Sequence, residues 1–247
     1  MKVDLKSLVL AGVPQTTVKI SDGTEVQLRA FLVKELKLLM LAKEGGSEDR
    51  TILQVMQQCI LTPGIDVELL PAFDVEMMYL HLYMLSKGSS LVEIPFVCQN
   101  EVDGKPCGHR INTRVNLKTV KLDKDITKDN MIKVSGEMVL ELRYPSVLEQ
   151  EYFAAVKTAA EGAAKLIDMC LNCVKSINAK GQKLVVGTDI SKEEIAELME
   201  LVSGDVFAQI TKFIEDTPMV HTHIGLKCNK CGYEEAVELR GLSDFFD

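Results

Sequence analysis

The residues best equipped for chemistry are seven cysteines, four of which fall into two turns of matching type. Cys228-x2-Cys231 has the spacing of a metal-binding knuckle, and Gly232 follows its second cysteine. Cys98-x8-Cys107 ends the same way, in Cys107-Gly108, and reads as the same turn stretched by a polar insert at 99–106. Segments of alternating polarity flank both turns, as strands do. A glycine after the second cysteine lets the backbone bend so that its N–H groups face sulfur. Four thiolates from two such turns complete a closed tetrahedral site, with no position left for water or substrate. The expectation is one structural Zn2+ held by Cys98, Cys107, Cys228 and Cys231.

The remaining candidates weigh less. Cys170-x2-Cys173 also has ligand spacing, but it sits inside an apolar helical pattern, with Cys170 in register with Ile167, Val174 and Ile177. A redox pair belongs at a helix N-terminus, where the thiolate is stabilised, so both are read as buried thiols. Cys59, on a stripe with Ile52, Val55 and Met56, is read as core filling. His81 shares a face with Met77, Met78 and Met84 and reads as a core or rim residue. His109, His221 and His223 are substitute ligands; His221 and His223 share one face of a strand and stand beside the knuckle. The sequence holds no Walker loop, dinucleotide fingerprint, nucleophile elbow or His-Glu-x2-His. No catalytic or organic-cofactor residue is assigned, and the protein is expected not to be an enzyme.

Composition narrows the class further. A net charge of -8 over 247 residues argues against gripping phosphate backbones, and residues 233–238, after the second knuckle, are acidic. Seven cysteines, an odd number, do not suggest a disulfide framework in a chain this long; metal thiolates in a reducing cytoplasm fit better. The apolar stretch Leu8–Val13 stops at Pro14 without a cleavage site and is not read as a signal peptide, and no run is long enough to span a bilayer.

Several elements must position the two turns. Alternation over 17–29 around Asp22-Gly23 predicts a hairpin. Helical spacing follows over 31–43, with Gly45-Gly46 ending that helix and Ser47 capping the next, to about Ile60. Asp74 is expected to cap a helix over 75–87. A strand at 91–97, at a sheet edge because of Pro95, delivers Cys98, and 109–117 leads away from Cys107. A second hairpin is expected from 120–122 and 131–144 around a charged tip at 123–130. An Ala-rich helix is expected over 147–178, with Gly162 inside it, and a short strand at 183–186. Ser191 and Glu194 form a capping box that opens a helix over 192–202, and another helix covers 206–216. Strands at 220–226 and 236–239 flank the second knuckle. The fold class is α+β: helical bundle regions with β-hairpins and a split four-cysteine zinc ribbon, formed by two distant strand–knuckle–strand segments. The regions read as 1–88, N-terminal hairpin and helices; 89–144, first ribbon half and hairpin; 145–219, helical insert; and 220–247, second ribbon half and aromatic tail.

In this order the elements are familiar. Residues 31–40, Asp74-Val75-Glu76-Met77, Phe96-Val97-Cys98, 217–221, 226–233 and 237–246 together resemble the baseplate-protein family of T-even-like contractile-tailed bacteriophages. The resemblance spans nearly the whole chain. Its most specific part is the C-terminal knuckle with Gly241-Leu242-x-Asp244-Phe245-Phe246. The insert at 99–106 and the Ala-rich helix depart from the family's shorter pattern. The resemblance implies a non-enzymatic tail protein acting in baseplate hub assembly, as a hub component or an assembly chaperone. It implies hub and tape-measure proteins as partners, neither nucleic acid nor membrane, and leaves self-association open. Its place would be the host cytoplasm during assembly, or the virion tail baseplate. Phe245 and Phe246 either dock in a partner's pocket or fold back on their own core. The rival class is a zinc-ribbon adaptor of transcription or translation, which a basic stripe on the ribbon would favour.

Overall fold

The computed structural model describes residues 4–45, 48–126, 130–155 and 158–246. The chain forms two units. The first is discontinuous, drawn from Met1–Val67, Phe73–Asp123 and Met219–Asp247; the second comprises Glu68–Ala72 and Lys124–Pro218.

The first leg of unit one begins with α1 (Leu5–Ala11) and the hairpin β1 (Gln15–Lys19) and β2 (Glu25–Arg29), paired from Gln15↔Arg29 to Lys19↔Glu25. Alternation works as expected here: Val18, Val26 and Leu28 are buried on one face, and Gly23 takes the positive φ (+92°) that the turn requires. Helices α2 (Val33–Gly45) and α3 (Glu48–Cys59) follow, and Val55, Met56 and Cys59 are fully buried. Gly46 and Ser47, read as helix stop and cap, lie outside the described residues. Helix α4 (Ala72–Lys87) starts three residues earlier than expected. Asp74 is therefore not its cap; its carboxylate accepts from the backbone N–H and the hydroxyl of Ser21 and ties the helix to the β1–β2 turn.

Strand β3 (Leu91–Val97) is followed by a two-residue ribbon, β4 (Glu101–Val102) with β5 (Lys105–Pro106), and then β6 (Arg110–Asn116). β3 and β6 pair antiparallel from Leu91↔Asn116 to Val97↔Arg110, and Pro95 lies in this two-stranded sheet, where no third strand needs its missing N–H. The leg closes with β7 (Lys121–Leu122).

Unit two carries a four-stranded antiparallel sheet and helices. Strands β8 (Met131–Ser135) and β9 (Met138–Leu142) pair with each other around Gly136-Glu137. The hairpin expected from 120–144 is thus two structures: 131–142 folds on itself, and β7 pairs elsewhere. Gly136 is the signal that splits the long apolar run. Of the charged tip, 127–129 lie outside the described residues. The single helix expected over 147–178 is three elements: α5 (Val147–Ala154), α6 (Ala159–Asn172) and β10 (Val174–Ala179). Ser146 caps α5 in a capping box with Glu149, Thr158 caps α6, and Cys173 closes α6 at its C-cap. β10 pairs with β9 on one side and with β11 (Gln182–Val185) on the other, giving the order β11-β10-β9-β8. The 131–142 hairpin therefore belongs with the second unit's sheet, not with the first cysteine turn. Helix α7 (Lys192–Leu201) opens with the Ser191/Glu194 capping box as read, and α8 (Gly204–Glu215) follows. The core of this unit gathers Leu140, Leu142, Cys170, Cys173, Ile177, Ile195 and Ile210.

The chain then returns to unit one. Strand β12 (Val220–Lys227) pairs with β13 (Glu234–Arg240) from His221↔Arg240 to Lys227↔Glu234 and, at its start, with β7. A last turn of helix, α9 (Ser243–Phe246), completes it. Leu80, Val92, Val115, Leu117, Val220, Leu239 and Phe245 form a shared core beneath these strands. The fold is mixed α+β with several small sheets, and no helix among the described residues is long and apolar enough to cross a membrane.

Candidate metal centre

Each cysteine pair lies at the turn end of an antiparallel strand pair: Cys98 and Cys107 between β3 and β6, Cys228 and Cys231 between β12 and β13. The structure brings the two ends together. Cys98 Sγ lies 3.7 Å from Cys231 Sγ, and Cys107 Sγ lies 3.8 Å from Cys228 Sγ. All four sulfurs are within 4.8 Å of one another. Disulfide sulfurs would be about 2.0 Å apart. A tetrahedral ion with metal–sulfur bonds of about 2.3 Å, the length zinc thiolates take, separates its sulfurs by about 3.8 Å. The set can hold such an ion.

The two turns share one backbone frame. The Cys98 N–H donates to the His109 carbonyl (2.9 Å) and the Gly108 N–H to the Cys98 carbonyl (3.1 Å). In the other turn the Cys228 N–H donates to the Tyr233 carbonyl (2.8 Å) and the Gly232 N–H to the Cys228 carbonyl (2.9 Å). Gly108 and Gly232 make this possible, with φ of +60° and +76°, where a Cβ would be strained. The insert at 99–106 does not loosen the first turn. It folds as the β4–β5 ribbon around Asp103 and Gly104, both at positive φ, and the Cys107 N–H donates to the Asn100 carbonyl (2.7 Å) at its base. Asp-Gly is the strongest short hairpin signal, and it could have identified the insert as a ribbon rather than a loop.

The electrostatics suit a cation. Cys98, Cys107 and Cys228 are buried and Cys231 is half-buried. Burial pushes the Cys98 thiol up to about 12, while the Tyr233 backbone N–H draws Cys231 down to about 6. At Cys107 the His109 N–H pulls downward, but burial and the neighbouring thiols leave it raised. Four thiolates so close cannot all ionise without a positive ion between them, and ligand thiols must ionise to bind one. Two neighbours had no sequence motif to reveal them: the Asn100 amide lies 3.7 Å from Cys231 Sγ, and the Lys230 ammonium donates to the Cys107 carbonyl (3.2 Å).

The other cysteines sit apart from this cluster. Cys59 is fully buried, 3.7 Å from the Arg29 guanidinium, and burial pushes it up to about 11. Cys170 and Cys173 are fully buried in the core of unit two, and burial pushes Cys173 up to about 12. His109 contributes its carbonyl to the first turn, and its ring is not among the clustered ligand groups. His221 and His223 stand with Glu238 on the β12–β13 surface, outside the thiol set. Phe245 is 2% exposed within the core of unit one, so its ring is spent inside its own chain. Phe246 is half-buried against Tyr79 and Tyr83, with ring centroids 5.4 and 4.7 Å away, and borders an apolar groove lined by Phe31, Leu36, Met40 and Ile52.

Comparison with known proteins adds three findings. The family model described as T4 bacteriophage base plate protein matches residues 13–247. Baseplate hub assembly protein gp26 of Enterobacteria phage T4 is 23% identical over 222 residues, covering 90% of this chain and 92% of that protein. No solved structure matches.

Proposed function

Since the chain belongs to the T4 bacteriophage base plate protein family, we propose that it acts in assembly of the baseplate hub, as a hub component or as a chaperone of hub and tape-measure proteins. The observation that carries this reading is the end-to-end match to a hub assembly protein, 90% of one chain against 92% of the other. The protein works by binding partners, without catalysis of its own. It acts in the host cytoplasm while the tail is built and stays in the virion baseplate if it is a component.

The four cysteines bind one structural Zn2+ in a closed site, making a zinc ribbon whose halves come from distant parts of the chain. This assignment rests on the sulfur spacing and on the all-thiolate donor set. Its task is to fix the partner-binding unit, not to react. Of the two tail aromatics, Phe246 is the partner contact, because it borders the groove beside α2, where Val33, Met40 and Leu41 are exposed. The occupant is an apolar segment of a hub protein.

The test is co-expression of the tagged chain with the hub and tape-measure proteins of its phage. At least one should co-purify, and Phe246→Ala should weaken its retention without changing the circular dichroism. Folded protein that retains none of them would overturn the reading. A mass-spectrometric inventory of purified particles then separates component from chaperone.

A further inference from the structure

We propose that His221, His223 and Glu238 form a second metal site, open to solvent, for a divalent first-row transition-metal ion. His221 and His223 are two residues apart on β12 and so project from the same face. Glu238 is the direct cross-strand partner of His223 in the β12–β13 register, which puts its side chain on the same face of the sheet. The ligand atoms of the three side chains all lie within 4.8 Å of one another. The His221 Nδ1 to Glu238 Oε1 distance is 3.0 Å, and the imidazole rings stand edge to face with centroids 5.5 Å apart.

These separations suit a shared ion. With metal–nitrogen and metal–oxygen bonds of about 2.0 Å, two ligands of one tetrahedral ion lie about 3.3 Å apart. Two imidazoles and a carboxylate are a known donor set of open zinc sites, in which the fourth position is left to water. The donors are nitrogen and oxygen only, so the site differs in kind from the thiolate centre. Neighbouring positive charge is partly engaged elsewhere: Arg240 lies 3.9 Å from Glu238 Oε2 but is ion-paired with Asp123. Lys121 of β7 is the cross-strand partner of His221 and so shares its face of the sheet. The competing explanation is a bare histidine–glutamate contact that binds nothing.

Cobalt(II) titration of the full chain, purified with zinc present, distinguishes the two. Thiolate-bound cobalt absorbs strongly in the near ultraviolet through sulfur-to-metal charge transfer, whereas a site of nitrogen and oxygen donors gives only weak visible bands. The expected result is one further Co2+ per chain without the sulfur band. His223→Ala and Glu238→Gln, both at exposed positions on the strand surface, should each weaken it at least about tenfold. Circular dichroism checks that both variants keep the fold. Saturable binding that is absent, that shows only the sulfur band, or that survives both substitutions would overturn the assignment. Because the sulfur band reports the thiolate centre separately, an error about that centre would not be mistaken for an error about this one.

Discussion

One fully buried carboxylate of unit one lies away from the cysteines. Glu35 is completely buried, at 0% side-chain exposure, and accepts from the Arg29 guanidinium (2.9 Å) and from the Leu32 N–H (2.8 Å). Arg29 in turn donates to the Gln58 carbonyl (2.8 Å), which ties β2 to the end of α3. Burial alone would raise the Glu35 carboxyl, but the Arg29 contact and the Leu32 N–H outweigh it and hold the group below the usual carboxylate range. Removing one member of such a pair leaves the other charged and unpaired in the interior. Glu35→Ala should therefore cost about 3–5 kcal/mol, read as a lowered urea midpoint by circular dichroism. A loss below about 1 kcal/mol would mean that Arg29 reaches water once its partner is gone. Nothing in the sequence singled out this pair, because Glu35 sits between Lys34 and Lys37, six residues from Arg29, and only the fold closes over them.

Elements were legible where their signals are local. The β1–β2 hairpin, the α7 capping box and both knuckles follow from Asp22-Gly23, Ser191/Glu194 and Cys-Gly, each acting within a few residues. The stretch after Cys170 was not, because Val174 and Ile177 fit the helical register and the strand pattern alike, and a short apolar run cannot separate the two. Long-range pairing with β9 decides for strand. That pairing also builds a charge cluster: Glu141 of β9 is 2.6 Å from Lys183, accepts from the Ser176 hydroxyl (2.6 Å) and is 3.0 Å from Lys175. Chiefly through the Lys183 bond, then Ser176, the Glu141 carboxyl is held down to about 2. A depressed carboxylate stabilises the fold above its unfolded pKa, and that contribution disappears as pH falls through the folded value. Thermal melts of the chain should lose stability between about pH 4.5 and 2, and Glu141→Gln should flatten that limb while leaving its slope above pH 6 unchanged. An identical acid limb in the variant would show that the cluster is solvated and contributes nothing.

At the scale of the molecule, an ion held by the four-cysteine cluster would have a topological task. It would join Cys107 to Cys228 across 121 residues and Cys98 to Cys231 across 133, with the whole of Lys124–Pro218 between them. The entropy cost of closing a loop grows only with the logarithm of its length, so a long insertion costs little more than a short one. Structural zinc bound by thiolates supplies on the order of 10 kcal/mol in its favour. Unit two needs no such clasp, since its core of Leu140, Leu142, Ile177, Ile195 and Ile210 includes none of the four ligand cysteines. Metal analysis of the purified chain should therefore find about one tightly held zinc through the thiolate centre, retained against weak chelators. Stripping it with a strong chelator should speed amide hydrogen exchange in β3, β6, β12 and β13 by several orders of magnitude. Exchange in β9 and β10 should barely change, because local stability follows each unit's own core. Slow exchange retained in β3 and β12 after complete metal removal would mean that the shared core of Leu80, Val92, Val220 and Phe245 holds these strands without the ion.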